Sequence, residues 1–227
     1  MEHVNTTFGS IFSGAGGFDQ GLELAGWSCQ WQIEWDKDCQ KVLQQNWPDV
    51  PKYFDVANVD GSTLQAVDVV AFGSPCQDLS VAGKRVGLEG ERSSMFYEAT
   101  RIIKEMRDKT NEQYPRWVIW ENVIGALNSR AGNDFEAVLR EMAELGANHI
   151  EWSILDSQYF GIPQNRRRIF VVARLQTPGR EYRPAEILSV ADGRGWNITS
   201  RTEGTQLHSA DSDRGPQVDS RQYELPH

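Results

Sequence analysis

Short runs of apolar and β-branched residues alternate along the chain with stretches whose apolar positions recur at helical spacing. Thr7 to Phe12 reads as a strand and Gly17 to Ala25 as the helix after it. Cys29 to Glu34 with Asp36 to Gln45, and Ala66 to Phe72 with Ser93 to Arg107, repeat the pair. Trp117 to Trp120 adds a strand, a helix from about Asn133 to Leu145 follows, and Ile169 to Ala173 is a further strand-like run. Asn133 and Glu136 have the spacing of a capping box, and Gly146 supplies a stop. Alternation of this kind predicts an α/β fold, a mostly parallel sheet with helices on both faces, whose ligands sit at the carboxyl ends of the strands.

The pattern changes after Leu175. From residue 176 to 227 the chain is polar, rich in Gly, Asp, Ser and Arg, with one weakly helical piece from Pro184 to Ala191. Too little apolar surface is available there for a core. Residues 1–175 are therefore expected to form the folded unit, and 176–227 a polar extension or the opening of a second domain. No internal repeat is visible.

Composition narrows the function classes. A net charge of −9 over 227 residues argues against a generally cationic nucleic-acid coat protein, although a local basic cleft stays compatible with it. Cys29, Cys39 and Cys76 form no CxxC pair, and His3, His149, His208 and His227 lack ligand spacing, so neither structural zinc nor a disulfide framework is indicated. Met1 to Thr7 lacks a signal-peptide core, and no apolar run approaches a membrane span. A soluble, reduced, intracellular protein is expected, in the cytoplasm or associated with the nucleoid.

Candidate chemistry gathers at strand ends. Cys76 follows the apolar run Val67 to Phe72 through the turn Gly73-Ser74-Pro75, a placement that presents a thiol where a nucleophile is needed. For a cysteine taken at random, a small packed hydrophobe is the better reading. Its company tips the balance: Glu121-Asn122-Val123 ends the run from Trp117, and Gln164-Asn165-Arg166-Arg167-Arg168 opens the last strand. A second group points to a cofactor. Phe12-Ser13-Gly14-Ala15-Gly16-Gly17-Phe18 is a glycine turn between strand and helix, though its spacing departs from the dinucleotide fingerprint. Glu34 at the next strand end suits two ribose hydroxyls, Trp35 suits stacking on adenine, and Asp55 suits the adenine amino group. Taken singly, Trp35 reads as core filler and Glu34 as a solvated acid. Together they suggest an adenosine-containing cofactor.

These residues resemble, in order, the motifs of the DNA cytosine-5 methyltransferase family. Phe12 to Phe18 is similar to its first motif, Glu34-Trp35 to its second and Asp55 to its third. Gly73 to Gln77 is similar to its Pro-Cys motif, Arg92 to Phe96 to its fifth, Glu121-Asn122-Val123 to its sixth and Gln164 to Arg168 to its eighth. The resemblance covers roughly residues 6 to 175, and implies a Rossmann-like methyltransferase fold, S-adenosylmethionine as donor and a flipped cytosine as acceptor. It implies that Cys76 adds to the ring, that Glu121 shares a proton with N3, that Arg166 holds Glu121, and that Arg168 donates to cytosine O2. Arg167 is left as a solvated basic edge or a phosphate contact. The same resemblance assigns Phe12, Gly14, Gly16, Gly17, Glu34, Trp35, Asp55, Pro75 and Met95 to the cofactor. It assigns Gln77, Ser80, Lys84, Arg85 and Asn122 to the DNA side, with Asn122 positioning the loop that carries Pro75-Cys76.

Two departures bear on activity. The aspartate that often precedes the first-motif Phe is replaced by Ser10-Ile11, which is expected to weaken cofactor contacts. The family's last two motifs are not found between Gln176 and His227, so three expectations stand: the catalytic portion of a longer protein, a chain completed by a second one, or an inactive binding remnant. A tRNA methyltransferase shares the same motifs. An NAD-dependent oxidoreductase leaves Cys76 and Arg168 without purpose and ranks last. No metal is expected.

Overall fold

The computed structural model describes residues 6–75, 95–180 and 220–222. Its strands are β1 (Thr7–Ile11), β2 (Ser28–Ile33), β3 (Lys52–Tyr53), β4 (Val69–Phe72), β5 (Trp117–Val123), β6 (Ala147–Asp156), β7 (Arg167–Leu175) and β8 (Ser220–Gln222). Its helices are α1 (Gly17–Leu24), α2 (Lys37–Asn46), α3 (Met95–Lys109), α4 (Gly125–Asn128) and α5 (Asn133–Glu144). The strands form one sheet in the order β3-β2-β1-β4-β5-β7-β6-β8. From β3 through β5 all neighbours are parallel, whereas β7 runs antiparallel to both β5 and β6.

Alternation along the strands sorts the core into two layers. Ile11, Val70, Phe72, Val118 and Trp120 pack with Phe96, Ile102, Ile103 and Met106 of α3 and with Val138 and Met142 of α5. Phe8 and Val69, one residue out of phase, pack with Leu22 of α1, Trp47 after α2, Trp117 and Ile119. The expected mostly parallel sheet with helices on both faces is thus what the side-chain parity produces.

Three elements differ from the sequence reading. β6 was not anticipated, because its ten residues place Glu151, Ser153 and Asp156 in buried positions and so break the apolar signature of a strand. Residues 220–222, inside the segment read as a polar extension, pair antiparallel with β6 and belong to the sheet. The capping box at α5 does not form: Gly132, with φ of 92°, is the cap and makes no side-chain bond, because a 3₁₀ turn over Ser129–Gly132 runs straight into the helix. Glu136 pairs instead with exposed Arg140 one turn on, at 2.7 Å. Gly146 does close α5, its N–H donating to the Ala143 carbonyl at 2.9 Å. Pro184 to Ala191 lies outside the described residues.

Candidate active site

β1, β2 and β4 end side by side, and between them opens a cavity of about 710 Å³. Phe12, Glu34, Trp35, Asp55, Pro75 and Met95, all expected at a cofactor, line it together with Ile33, Phe54, Val56 and Ala57. Trp35 and Phe54 are 71% and 60% exposed, which excludes a core-filling role and leaves two bare rings on the cavity wall. A carboxylate between them is pre-set: one oxygen of Glu34 accepts the Gly14 N–H and the other the Asp36 N–H, each at 2.7 Å. Each oxygen keeps a further acceptor site for a hydroxyl. Asp55 lines the cavity but also caps the 3₁₀ turn Val56–Asn58, accepting from the Ala57 N–H at 3.0 Å and the Asn58 amide at 2.7 Å.

The glycine turn holds its shape by left-handed backbone at Phe12, Gly14 and Gly16, with φ of 57°, 56° and 88°. At Gly16 a side-chain carbon would also fall 2.4 Å from the Trp47 ring, so glycine is required twice over. Phe12 tolerates the strain, of the order of 1 kcal/mol, because it is held between Ile11, paired on both sides, and Ser13, whose N–H donates to the Ile33 carbonyl at 3.2 Å. Gly17 opens α1 and faces open space. Sequence reasoning missed what braces this turn. Asp19, wholly buried in α1, accepts from Ser10 Oγ at 2.7 Å and from the Gln32 amide at 2.9 Å, and Ser10 Oγ lies 2.6 Å from Ser13 Oγ. A buried carboxylate on the helix thus braces Ser10, and the signal for it was an acid, Asp19, in the first turn of α1.

Beyond β4 and β5 lies the second cluster. Gly73 sits beside Glu121, and Asn122 donates its side-chain amide to the Ser74 carbonyl at 3.1 Å while Trp120 Nε1 donates to Ser74 Oγ at 3.0 Å. Asn122 is buried, and its bond to Ser74 is the contact expected of a residue that positions the loop after β4. Glu121 Oε1 forms an ion pair with Arg168 Nε at 3.0 Å. This corrects the expected division of labour, in which Arg166 holds Glu121. Arg168 lies within the β5–β7 ladder opposite Val123, a diagonal neighbour of Glu121 on the same face. Arg166 precedes the strand, with its N–H on Asp156 at 3.2 Å, and reaches Glu121 only through its charge. Burial pushes the Glu121 carboxyl above the ordinary glutamate range, against the opposing pull of Arg168 and then Arg166. The antiparallel direction of β7 is what brings these arginines to the edge where β4 and β5 end.

Cys76, Gln77, Ser80, Lys84 and Arg85 lie outside the described residues. Of the other cysteines, Cys29 is buried beside Asp19, and burial first and that carboxylate second push its thiol far up. Burial, then the Asp36 carboxylate, raises Cys39 too. Both are held as thiols, poor nucleophiles at neutral pH. Among the described residues no cluster of His, Cys, Asp or Glu has the makings of a metal site, and no helix is long and apolar enough to cross a membrane.

Comparison with known proteins places this geometry. The family model for C-5 cytosine-specific DNA methylase matches residues 6–208. Type II methyltransferase M.HhaI of Haemophilus parahaemolyticus is 34% identical over 165 residues, 73% of this chain and 48% of that protein. M.HpaII of Haemophilus parainfluenzae is 33% identical over 176 residues, covering 76% of this chain and 47% of the other. The chain thus spans about half the length of these relatives. Among solved structures, Dnmt2 methyltransferase of S. pombe superposes with a TM-score of 0.58 at 22% identity, over 78% of this chain and 53% of that one, a likeness of fold. On the match over residues 6–208, the chain belongs to the C-5 cytosine-specific DNA methylase family.

Proposed function

We propose that the chain carries the catalytic half of a DNA cytosine-5 methyltransferase, with S-adenosylmethionine held in the cavity between β1, β2 and β4. The observation that carries this reading is the meeting, at one sheet edge, of Pro75 on the cavity wall with the Glu121–Arg168 pair across β4. Two bare rings, an acid pre-set by backbone donors and the Asp55 cap fit an adenosine. Bound there, S-adenosylmethionine supplies an electrophilic methyl group.

The residues of this chain make the acceptor reactive. Cytosine C5 is a weak nucleophile, and addition of the Cys76 thiolate to C6 turns C5 into an enamine-type carbon. Charge moves toward N3 as the C6–S bond forms. A carboxyl whose proton is held more tightly than usual, as at Glu121, shares that proton with N3 and offsets the charge. Arg168 orients Glu121 through Nε and donates Nη1 to the Arg167 carbonyl, and its forked guanidinium carries a further donor for O2. After methylation, loss of the C5 proton and of the thiolate restores the aromatic ring.

Transfer of labelled methyl groups tests the reading. The chain, alone and mixed with a polypeptide carrying the family's later motifs, is expected to place label on duplex DNA as 5-methylcytosine. Label on tRNA with none on DNA assigns the tRNA substrate, and tight S-adenosylhomocysteine binding without transfer in either mixture leaves a binding remnant.

A further inference from the structure

The large apolar side chains left exposed sort by place. Among the described residues, Trp35 and Phe54 wall the cofactor cavity, Leu24 and Val42 lie on α1 and α2, and the remaining three, Tyr159, Phe160 and Ile162, share the turn between β6 and β7 at 52%, 56% and 51% exposure. A turn with loose backbone needs no explanation, but this one is braced. Buried Asp156 accepts the N–H groups of Gln158 and Arg166 at 3.2 Å each, Ser157 N–H donates to the Arg166 carbonyl at 3.1 Å, and Gly161 turns with φ of 81°. The rings are therefore held out at a fixed place, which hydration opposes unless something covers them.

That place adjoins the chemistry. β6 runs parallel to β5 because both are antiparallel to β7, so the turn lies at the edge where β4 and β5 end. Arg168, which pairs with Glu121, is opposite Leu155 in the ladder, and exposed Arg167 is opposite Asp156. Among the described residues exposed Arg167 forms no ion pair, and Arg166 meets the Glu121 carboxylate only through its charge, in a chain whose net charge is −9. Rings beside an exposed guanidinium suit bases beside phosphates. Extruding a nucleotide also leaves neighbouring base faces bare.

We propose that the β6–β7 turn is a nucleic-acid contact surface, where Tyr159, Phe160 and Ile162 pack against bases or sugars next to the extruded cytosine and Arg167 takes an adjoining phosphate. This rests on the reading of the chain as a DNA methyltransferase and extends its substrate surface beyond the reacting base. Anisotropy of a fluorescein-labelled duplex, titrated with the full chain in the presence of S-adenosylhomocysteine, tests it. Tyr159→Ala combined with Phe160→Ala is expected to weaken duplex binding roughly 10- to 100-fold, with unchanged affinity for S-adenosylhomocysteine and unchanged dependence on salt. Arg167→Ala is expected to lower the slope of log affinity against log salt by about one. Duplex affinity equal to wild type in the double variant overturns the inference. So does a double variant that keeps its duplex affinity but dissociates from a self-associated state, which gives the patch to protein. A wild-type chain that binds S-adenosylhomocysteine but no duplex, even mixed with the polypeptide carrying the later motifs, overturns the parent reading instead.

Discussion

Gly73, just past β4, faces the Glu121 carboxyl so closely that a carbon added to its Cα comes within 3.1 Å of Oε2. Glycine at this point leaves the carboxyl room to be set by Arg168. Gly73→Ala is expected to displace the carboxyl by a few tenths of an ångström and to slow methyl transfer roughly tenfold. Affinity for S-adenosylhomocysteine and the melting temperature should stay as in wild type. An unchanged turnover number contradicts the placement.

The pH dependence of stability follows from the same carboxyl. Its folded value is raised by burial, so the group favours the folded state below the ordinary glutamate value, and that contribution is lost as pH rises through the folded value. Melting curves of wild type and Glu121→Gln from about pH 4 to pH 7 are expected to diverge in favour of the variant as pH rises. Convergence with rising pH gives Glu121 a lowered value and removes its role as proton holder.

Arg101 ties the cavity wall at Val56 to α3. Its guanidinium donates to the Val56 and Val59 carbonyls at 2.9 Å each and is held by Glu98 and Glu105, while Glu105 also accepts the Gly61 N–H at 2.7 Å. Val56 and Ala57 line the cavity, and Met95, the first residue of the same helix, faces it too. Arg101→Met is expected to raise KM for S-adenosylmethionine about tenfold, the worth of one hydrogen bond to a charged group, with kcat nearly kept. A fall in kcat at saturating cofactor with KM unchanged assigns Arg101 elsewhere.

Glu34→Ala and Cys76→Ala separate binding from chemistry. Calorimetry should show S-adenosylhomocysteine bound roughly 10- to 100-fold more weakly by Glu34→Ala, which loses a charged acceptor fixed by the Gly14 and Asp36 N–H groups. Cys76→Ala should bind it as wild type does and transfer no methyl. Equal losses in both variants deny the division.

The parallel half of the sheet was legible because β1, β2, β4 and β5 are apolar runs and their helices carry periodic apolar faces. That Phe12, Glu34, Trp35 and Asp55 share one cavity was legible for the same reason: they fall at or just beyond strand ends, where chain order alone places them. What stayed hidden depends on pairing across the sheet. Nothing local announces that Ala147–Asp156 is a strand with buried Glu151 and Ser153, nor that β7 runs backwards and so hands Glu121 to Arg168 rather than Arg166. Arg101 and Gly73 were likewise invisible in those roles, since each acts through a partner far along the chain, a relation set by tertiary contact.

The central claim is covalent addition by Cys76 beside a carboxyl and a forked cation. Duplex DNA carrying 5-fluorocytosine cannot release the C5 substituent as a proton, so a completed addition and methylation leaves the protein attached. With S-adenosylmethionine, and with the later motifs supplied, the chain is expected to give a denaturation-resistant complex on gel electrophoresis that Cys76→Ser abolishes. Incorporation of methyl groups into ordinary DNA with no trapped complex, or a complex that survives Cys76→Ser, contradicts the account.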